Sequence, residues 1–273
     1  MKTRIIVAFL GIPFLFLMIF FAPLWAFALA LGLISAIAAY EILRCMSPAS
    51  PERFRAYAVI SALSVQVANA FETGSLVLYA AIFLLTLVMF VELMISFRKE
   101  SQVRFEIVLQ VIFAGTVMPA LLSSLVRVGL NDNSSIYLLL PFVAAFSSDS
   151  GAYFAGSFLG KRKLFPNLSP NKTLEGCIGG FAAAIGVMIL YGIILRAIGV
   201  PFVNFTALVL YGFLGSLACQ LGDLAFSAVK RVYKIKDFGT LIPGHGGVLD
   251  RFDSMHFTAP MIEILVLLLP AFV

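Results

Sequence analysis

What most constrains this chain is a succession of apolar runs, each about as long as a bilayer is thick, with little polar sequence between them. A spanning helix needs about 20 mostly apolar residues, and in lipid its backbone N–H and C=O groups must be satisfied within the segment. Such runs fall near residues 5–22, 24–43, 56–72, 75–97, 106–129, 135–158, 175–198, 203–229 and 255–273. They predict an all-α, polytopic integral membrane protein of about nine transmembrane helices. Of the 273 residues, 61% are hydrophobic and 12% charged. Soluble domains carry about 25% charge, so a water-soluble globule is excluded. The start, "MKTRIIVAFLGIPFLFLMIFFAPLW", has a basic head and an apolar run too long for a signal peptide, with no small-residue cleavage site after it, and predicts a retained first helix. Cys45, Cys177 and Cys219 are odd in number and scattered through apolar sequence. They predict helix packing rather than a disulfide framework or a metal cluster.

Alternate loops of the nine-span reading carry the basic residues very unequally. Of the 19 Lys and Arg, 17 fall on one side, and only Arg127 and Arg196 fall on the other. Basic loops stay in the cytoplasm, so the N-terminus and the long loops are predicted to be cytoplasmic and the C-terminus outside. The formal charge of +5 then describes a membrane surface facing anionic headgroups rather than a nucleic-acid site. The chain reads as a single transmembrane domain, 1–273. Residues 1–104 form lipid-facing N-terminal helices suited to packing or to a homodimer, and residues 135–258 carry the chemistry.

Ionisable groups inside spans are costly and usually functional. Glu72 and Glu263 suit helix ends or interfaces, and Glu92 stands close enough to Arg98 and Lys99 to pair there. Asp149 and Asp223 differ, because each has polar neighbours. "FSSDSGAYFAG" around Asp149 has small residues that permit close helix approach, yet a packing seam does not require the carboxylate. In "CQLGDLAFSAVKR", Gln220, Asp223, Ser227 and Lys230 share one helical face. That stripe suits either an interhelical hydrogen-bonding seam or a metal-and-phosphate site with cations at its mouth.

Two polar loops complete the picture. In "GKRKLFPNLSPNKTLEGCIGG", Asn171 or Thr173 is placed to cap the following helix, with Glu175 in its first turn. A helix N-terminus beside Ser169, Asn171, Lys172 and Thr173 suits an anion, although an ordinary capped loop looks the same. In "KRVYKIKDFGTLIPGHGGVLDRFDS", glycines allow close backbone approach, and Lys230, Arg231, Lys236 and Arg251 offer charge to phosphate oxygens. Asp223, Asp250 and Asp253 are hard oxygen donors of the kind Mg²⁺ prefers, and His245 can donate to a phosphate or act as an acid. Zinc is disfavoured by the scarcity of His and Cys nearby. His256 reads as a local partner.

The run from Ser227 to Asp253 resembles the signature of the phosphatidate cytidylyltransferases, or CDP-diacylglycerol synthases, without departure across its 27 positions. "SDSGAYFAGSFLGKRK" and "LSPNKTLEGCIGG" also resemble upstream blocks of that family, so the likeness is close over roughly 145–258. The resemblance implies a nucleotidyltransferase of phospholipid biosynthesis that joins CTP to phosphatidic acid, giving CDP-diacylglycerol and pyrophosphate. It implies one or two Mg²⁺ ions and a site on the cytoplasmic side of a bacterial inner membrane. On this reading Asp223, Asp250 and Asp253 hold metal, with Asp149 beside them. Lys230 and His245 complete the catalytic set, and Ser169, Asn171, Lys172, Thr173, Arg231, Lys236 and Arg251 bind substrate. A CTP-dependent kinase of a membrane alcohol and a transporter are the competing readings. A transporter is expected to bind at the midplane between repeats, whereas here the polar residues gather on one side.

Overall fold

The computed structural model describes residues 13–71, 73–98, 103–131, 134–241, 244 and 246–272. The all-α expectation holds, with one short two-stranded hairpin inside it. Among the described residues, six helices are long and apolar enough to cross a membrane: Leu24–Met46, Gly74–Ser96, Phe105–Val128, Ser135–Leu159, Leu174–Ala197 and Phe205–Val232. They match six of the nine expected runs. The run near 56–72 folds as a 17-residue helix, Glu52–Ala68. The last run folds as a 14-residue helix, Met255–Leu268. The first run falls partly outside the described residues and is helical over 13–21.

The chain packs as two compact units, drawn from residues 1–127 with 235–252, and from residues 128–234 with 253–273. It passes from one to the other three times, so the expected catalytic stretch 135–258 contributes to both.

The first unit contains α1 (13–21), α2 (Leu24–Met46), α3 (Glu52–Ala68) and α4 (Gly74–Ser96). A broken helix follows, made of α5 (Phe105–Ile112), a π turn (Phe113–Val117), α6 (Met118–Leu122) and α7 (Ser124–Val128). Pro119 has no N–H to offer the preceding turn, and the wide π turn just before it accommodates that loss. Helix α3 is central, and its Phe54, Ala58, Ala62 and Val65 are fully buried. Its buried Gln66 donates through Nε2 to Ser35 Oγ at 2.9 Å and to the Pro119 carbonyl at 3.1 Å. Glu92 pairs with Arg53 rather than with Arg98. The two form a fork of 2.7 and 2.8 Å bonds between α4 and α3, in the planar geometry that a guanidinium offers a carboxylate. Glu72 and Lys99 lie outside the described residues.

The second unit contains α8 (Ser134–Leu159), β1 (Lys163–Phe165), β2 (Ser169–Thr173), α9 (Leu174–Ala197), α10 (Phe205–Val232) and α12 (Met255–Leu268). Strands β1 and β2 are antiparallel, with Lys163 opposite Thr173 and Phe165 opposite Ser169. Helices α8 and α9 cross very closely. A Cβ on Gly151 would lie 2.6 Å from the Gly179 carbonyl oxygen, and one on Gly179 would overlap Ala155. The small residues around Asp149 therefore do form a seam, as their type suggests. Ser148 Oγ and Ser216 Oγ are 2.8 Å apart, and Gln220 Nε2 donates to Ser216 Oγ and to the Cys177 carbonyl. Buried Tyr137 and Tyr211 donate to the carbonyls of Phe272 and Leu269, satisfying backbone beyond the end of α12.

Candidate active site

The seam between α8, α9 and α10 opens into a cavity of about 490 Å³ in the second unit. Each wall follows from local sequence. Thr173 is the N-cap of α9, its Oγ1 accepting from Gly176 N at 3.1 Å. Glu175 turns back to accept from the amides of Lys161 and Arg162 at 3.0 and 3.2 Å. These bonds fix the hairpin, which presents Ser169, Asn171, Lys172 and Thr173 to the cavity. Asp149 enters from α8, and Gln220 and Asp223 from α10. The remaining wall is apolar, with Tyr153, Phe165, Phe181, Leu217, Leu221 and Leu224.

Charge is concentrated at the polar end. Lys172 Nζ stands 2.5 Å from Asp223 Oδ2, both partly exposed. Lys230 Nζ is 3.9 Å from Asp253 Oδ2, and both of those side chains are largely buried. Burial first, and the Asp223 charge second, push the Asp253 carboxyl up to about 7. Asp149 adds to that push, while the Ser254 amide, 2.7 Å from Oδ1, and Lys230 oppose it. Three carboxylates from α8, α10 and the start of α12 thus share one field, with two lysines answering it. Among the described residues no three His, Cys, Asp or Glu stand close enough to cage a metal as placed. The donors are nevertheless hard carboxylate oxygens whose mutual repulsion a divalent cation would relieve, so the set fits such an ion chemically.

The polar stripe on α10 divides its work. Gln220 serves the helix seam, whereas Asp223 and Lys230 serve the charged cluster. Arg231 Nε donates to the Leu168 carbonyl at 3.1 Å, tying α10 to the hairpin turn. The Cys219 thiol lies 3.5 Å from Asp149 Oδ1, so this cysteine touches the site as well as packing. His256 is buried, with its ring 5.3 Å from that of Phe226 on α10.

Three other candidate residues of the signature belong to the first unit. Lys236, Asp250 and Arg251 lie in 235–252, and His245 lies outside the described residues. Asp250 is buried in the short helix α11 (Leu249–Phe252). Its Oδ2 accepts from the amides of Phe238 at 2.8 Å and Gly247 at 3.0 Å.

A model of the cytidylyltransferase family matches residues 2–269. The chain belongs to that family. Its curated relatives include proteins named phosphatidate cytidylyltransferase from Bacillus subtilis (strain 168), 44% identical over 132 residues, and Staphylococcus haemolyticus (strain JCSC1435), 43% identical over 132 residues. A third, from Staphylococcus aureus (strain COL), is 42% identical over 133 residues. Each match covers 48% of this chain and 48 or 49% of the relative. The chain thus spans about half the length of the curated relatives it matches.

The sequence leaves two structural features unread. One is the β1–β2 hairpin, since its short polar strands carry no alternating pattern. The other is Glu41 on α2, buried at 6% exposure, which accepts from the Val248 amide at 3.0 Å and the Leu249 amide at 2.9 Å. Its one sequence signal is a carboxylate inside an apolar run.

Proposed function

We propose that this cytidylyltransferase is an integral membrane enzyme that makes CDP-diacylglycerol from CTP and phosphatidic acid, releasing pyrophosphate. The observation that carries the reading is the cavity in the second unit. Its polar lining includes Asp149, Asp223 and Lys172 with the hairpin's Ser169, Asn171 and Thr173, and much of the rest is aromatic and aliphatic. Asp253, paired with Lys230, lies within the field of Asp223. A lipid phosphate has that same division, a charged head on an apolar body. The relatives' printed names agree with it.

Phosphatidate is already an anionic nucleophile near neutral pH, so the reaction requires alignment and charge neutralisation more than a base. An oxygen of the lipid phosphate bonds to the α-phosphorus of CTP, the α–β bridging bond breaks, and pyrophosphate leaves with the electron pair. Lys172, on β2, would hold phosphate oxygens, which compete with Asp223 for its ammonium. Lys230 keeps the charge of Asp253 in place. Ser169, Asn171 and Thr173 offer hydroxyl and amide groups to nucleotide or phosphate, and Arg231 supports them from α10. Asp223 and Asp253, with Asp149 beside them, are the residues suited to one or two Mg²⁺ ions, which when bound would neutralise phosphate charge. Asp250 stays a candidate ligand, and Lys236, His245 and Arg251 candidate phosphate-binding or catalytic groups, on the strength of the motif. The 17 basic residues on one side support cytoplasmic loops at a bacterial inner membrane, where soluble CTP can reach them.

The test is a pair of labels. Purified protein in micelles with phosphatidate and a divalent cation receives CTP labelled at the α- or the γ-phosphate. Cytidylyl transfer carries the α-label into the lipid phase and leaves the γ-label in water as pyrophosphate. A γ-label in the lipid would show a kinase, and no label in lipid would overturn an enzymatic role.

A further inference from the structure

The loop that leads into Asp250 and Arg251 is held from within the first unit by α2. Glu41 and Cys45 are one helical turn apart on α2 and so share a face. The two oxygens of Glu41 take one amide each, Val248 N to Oε1 and Leu249 N to Oε2. These are the two residues immediately before Asp250 and Arg251. Cys45 Sγ lies 3.1 Å from the Phe238 carbonyl, while the Phe238 amide goes to Asp250 Oδ2. Both ends of the loop are therefore fastened directly to α2, one by Cys45 and the other by Glu41, and Asp250 ties them to each other.

Glycine at two positions makes room for this brace. A Cβ on Gly247 would come within 2.6 Å of Glu41 Cδ, and one on Gly239 would meet the same carbon at 2.6 Å. A carboxylate buried at 6% exposure is costly unless hydrogen-bonded, and bonds to an ionised acceptor are about twice as strong as neutral ones. A residue needed only to fill space here would be apolar. Glu41 instead spends its charge on backbone that no neighbouring segment of α2 supplies, some 207 residues further along the chain.

We propose that Glu41 is a positioning residue of the cytidylyl-transfer reaction. It fixes the turn at Val248 and Leu249, so that Asp250 and Arg251 are presented in one conformation to phosphate and cation. This proposal rests on the function argued above. It does not require Glu41 to touch substrate.

Glu41→Gln tests it, because the amide side chain keeps one oxygen acceptor and sets an NH₂ against the other amide. In hydrogen exchange of the full chain in micelles, the Val248 and Leu249 amides are expected to lose protection at least about tenfold, with α3 unchanged. In the α-label transfer assay, kcat/KM for CTP is expected to fall about 10–100-fold, the range for groups that orient ligating residues, while Tm stays near wild type. Gly247→Ala supplies a second route should Glu41→Gln fold poorly. It is expected to lower kcat/KM for CTP in wild type and to cost less in a Glu41→Ala background, where the colliding atoms are gone. Unchanged exchange at the two amides would overturn the brace. Lost protection with unchanged kcat/KM would overturn the positioning role. A wild-type protein that transfers no cytidylyl group would overturn the function itself, while the exchange result would still decide whether Glu41 holds the loop.

Discussion

Asp253 shows how the site controls charge at single residues. Its carboxyl is raised from 3.8 to about 7, by burial and then by Asp223. A raised carboxyl binds its proton more tightly in the folded protein. Its favourable share of stability is therefore present below about pH 4 and lost as pH climbs through about 7. A cation needs the deprotonated form and competes with that proton. The half-saturating cation concentration for activity is expected to fall as pH rises toward about 7 and to level off above it. Activity titrations with Mg²⁺ across that range check this, and half-saturation independent of pH would remove Asp253 from the cation site. Lys172 gives a second prediction at this scale. Replacing it with Met removes the cation beside Asp223, and kcat/KM for CTP is expected to fall about 10²-fold, as for loss of one preorganised stabilising group. Lys172→Arg, which keeps the charge, is expected to recover part of that loss in the same assay. Asp149, Lys172, Thr173 and Asp223 were legible because a charge or cap in an apolar setting is conspicuous. Glu41 was not, since its partners lie about two hundred residues away and only folding brings them together.

Among the elements, the crossing of α8 and α9 does most to shape the cavity. Gly151 and Gly179 let the two backbones approach, and Asp149 and Cys177 flank that contact in sequence. Gly179→Val adds atoms where Ala155 already sits. It is expected to cost about 1–3 kcal/mol through overpacking and to narrow the cavity. A thermal-unfolding midpoint lowered by several degrees, with weakened lipid-substrate binding, is the expected outcome, and an unchanged midpoint would contradict the close crossing. The long helices were legible from their apolar runs, and the α9 cap from Thr173 and Glu175. The hairpin was not, because Lys163–Phe165 and Ser169–Thr173 are too short and polar to show a strand period. The partner of Glu92 was also hidden, since sequence offered the nearer Arg98 while packing brought Arg53 from α3.

At the level of the whole molecule, the distribution of charge predicts how the chain lies in a bilayer. A single cysteine placed at Lys163 in a cysteine-free background is expected to react with an impermeant maleimide only when the cytoplasmic face is open to it. One placed at Arg196 is expected to react from the opposite face, and the reverse pattern would overturn the topology. The division into two units could not be read from hydropathy, because one passage between them falls inside α7, at 127/128, and the other two, at 234/235 and 252/253, fall within a single polar loop. Family membership was legible in the run from Ser227 to Asp253, whose residues the fold then distributes between both units. The reading of the second unit as the place of transfer depends above all on Asp223, and Asp223→Asn in the α-label assay tests it most directly. A loss of about 10²–10³-fold in label transfer with an unchanged unfolding midpoint is expected, whereas transfer near the wild-type rate would contradict the assignment.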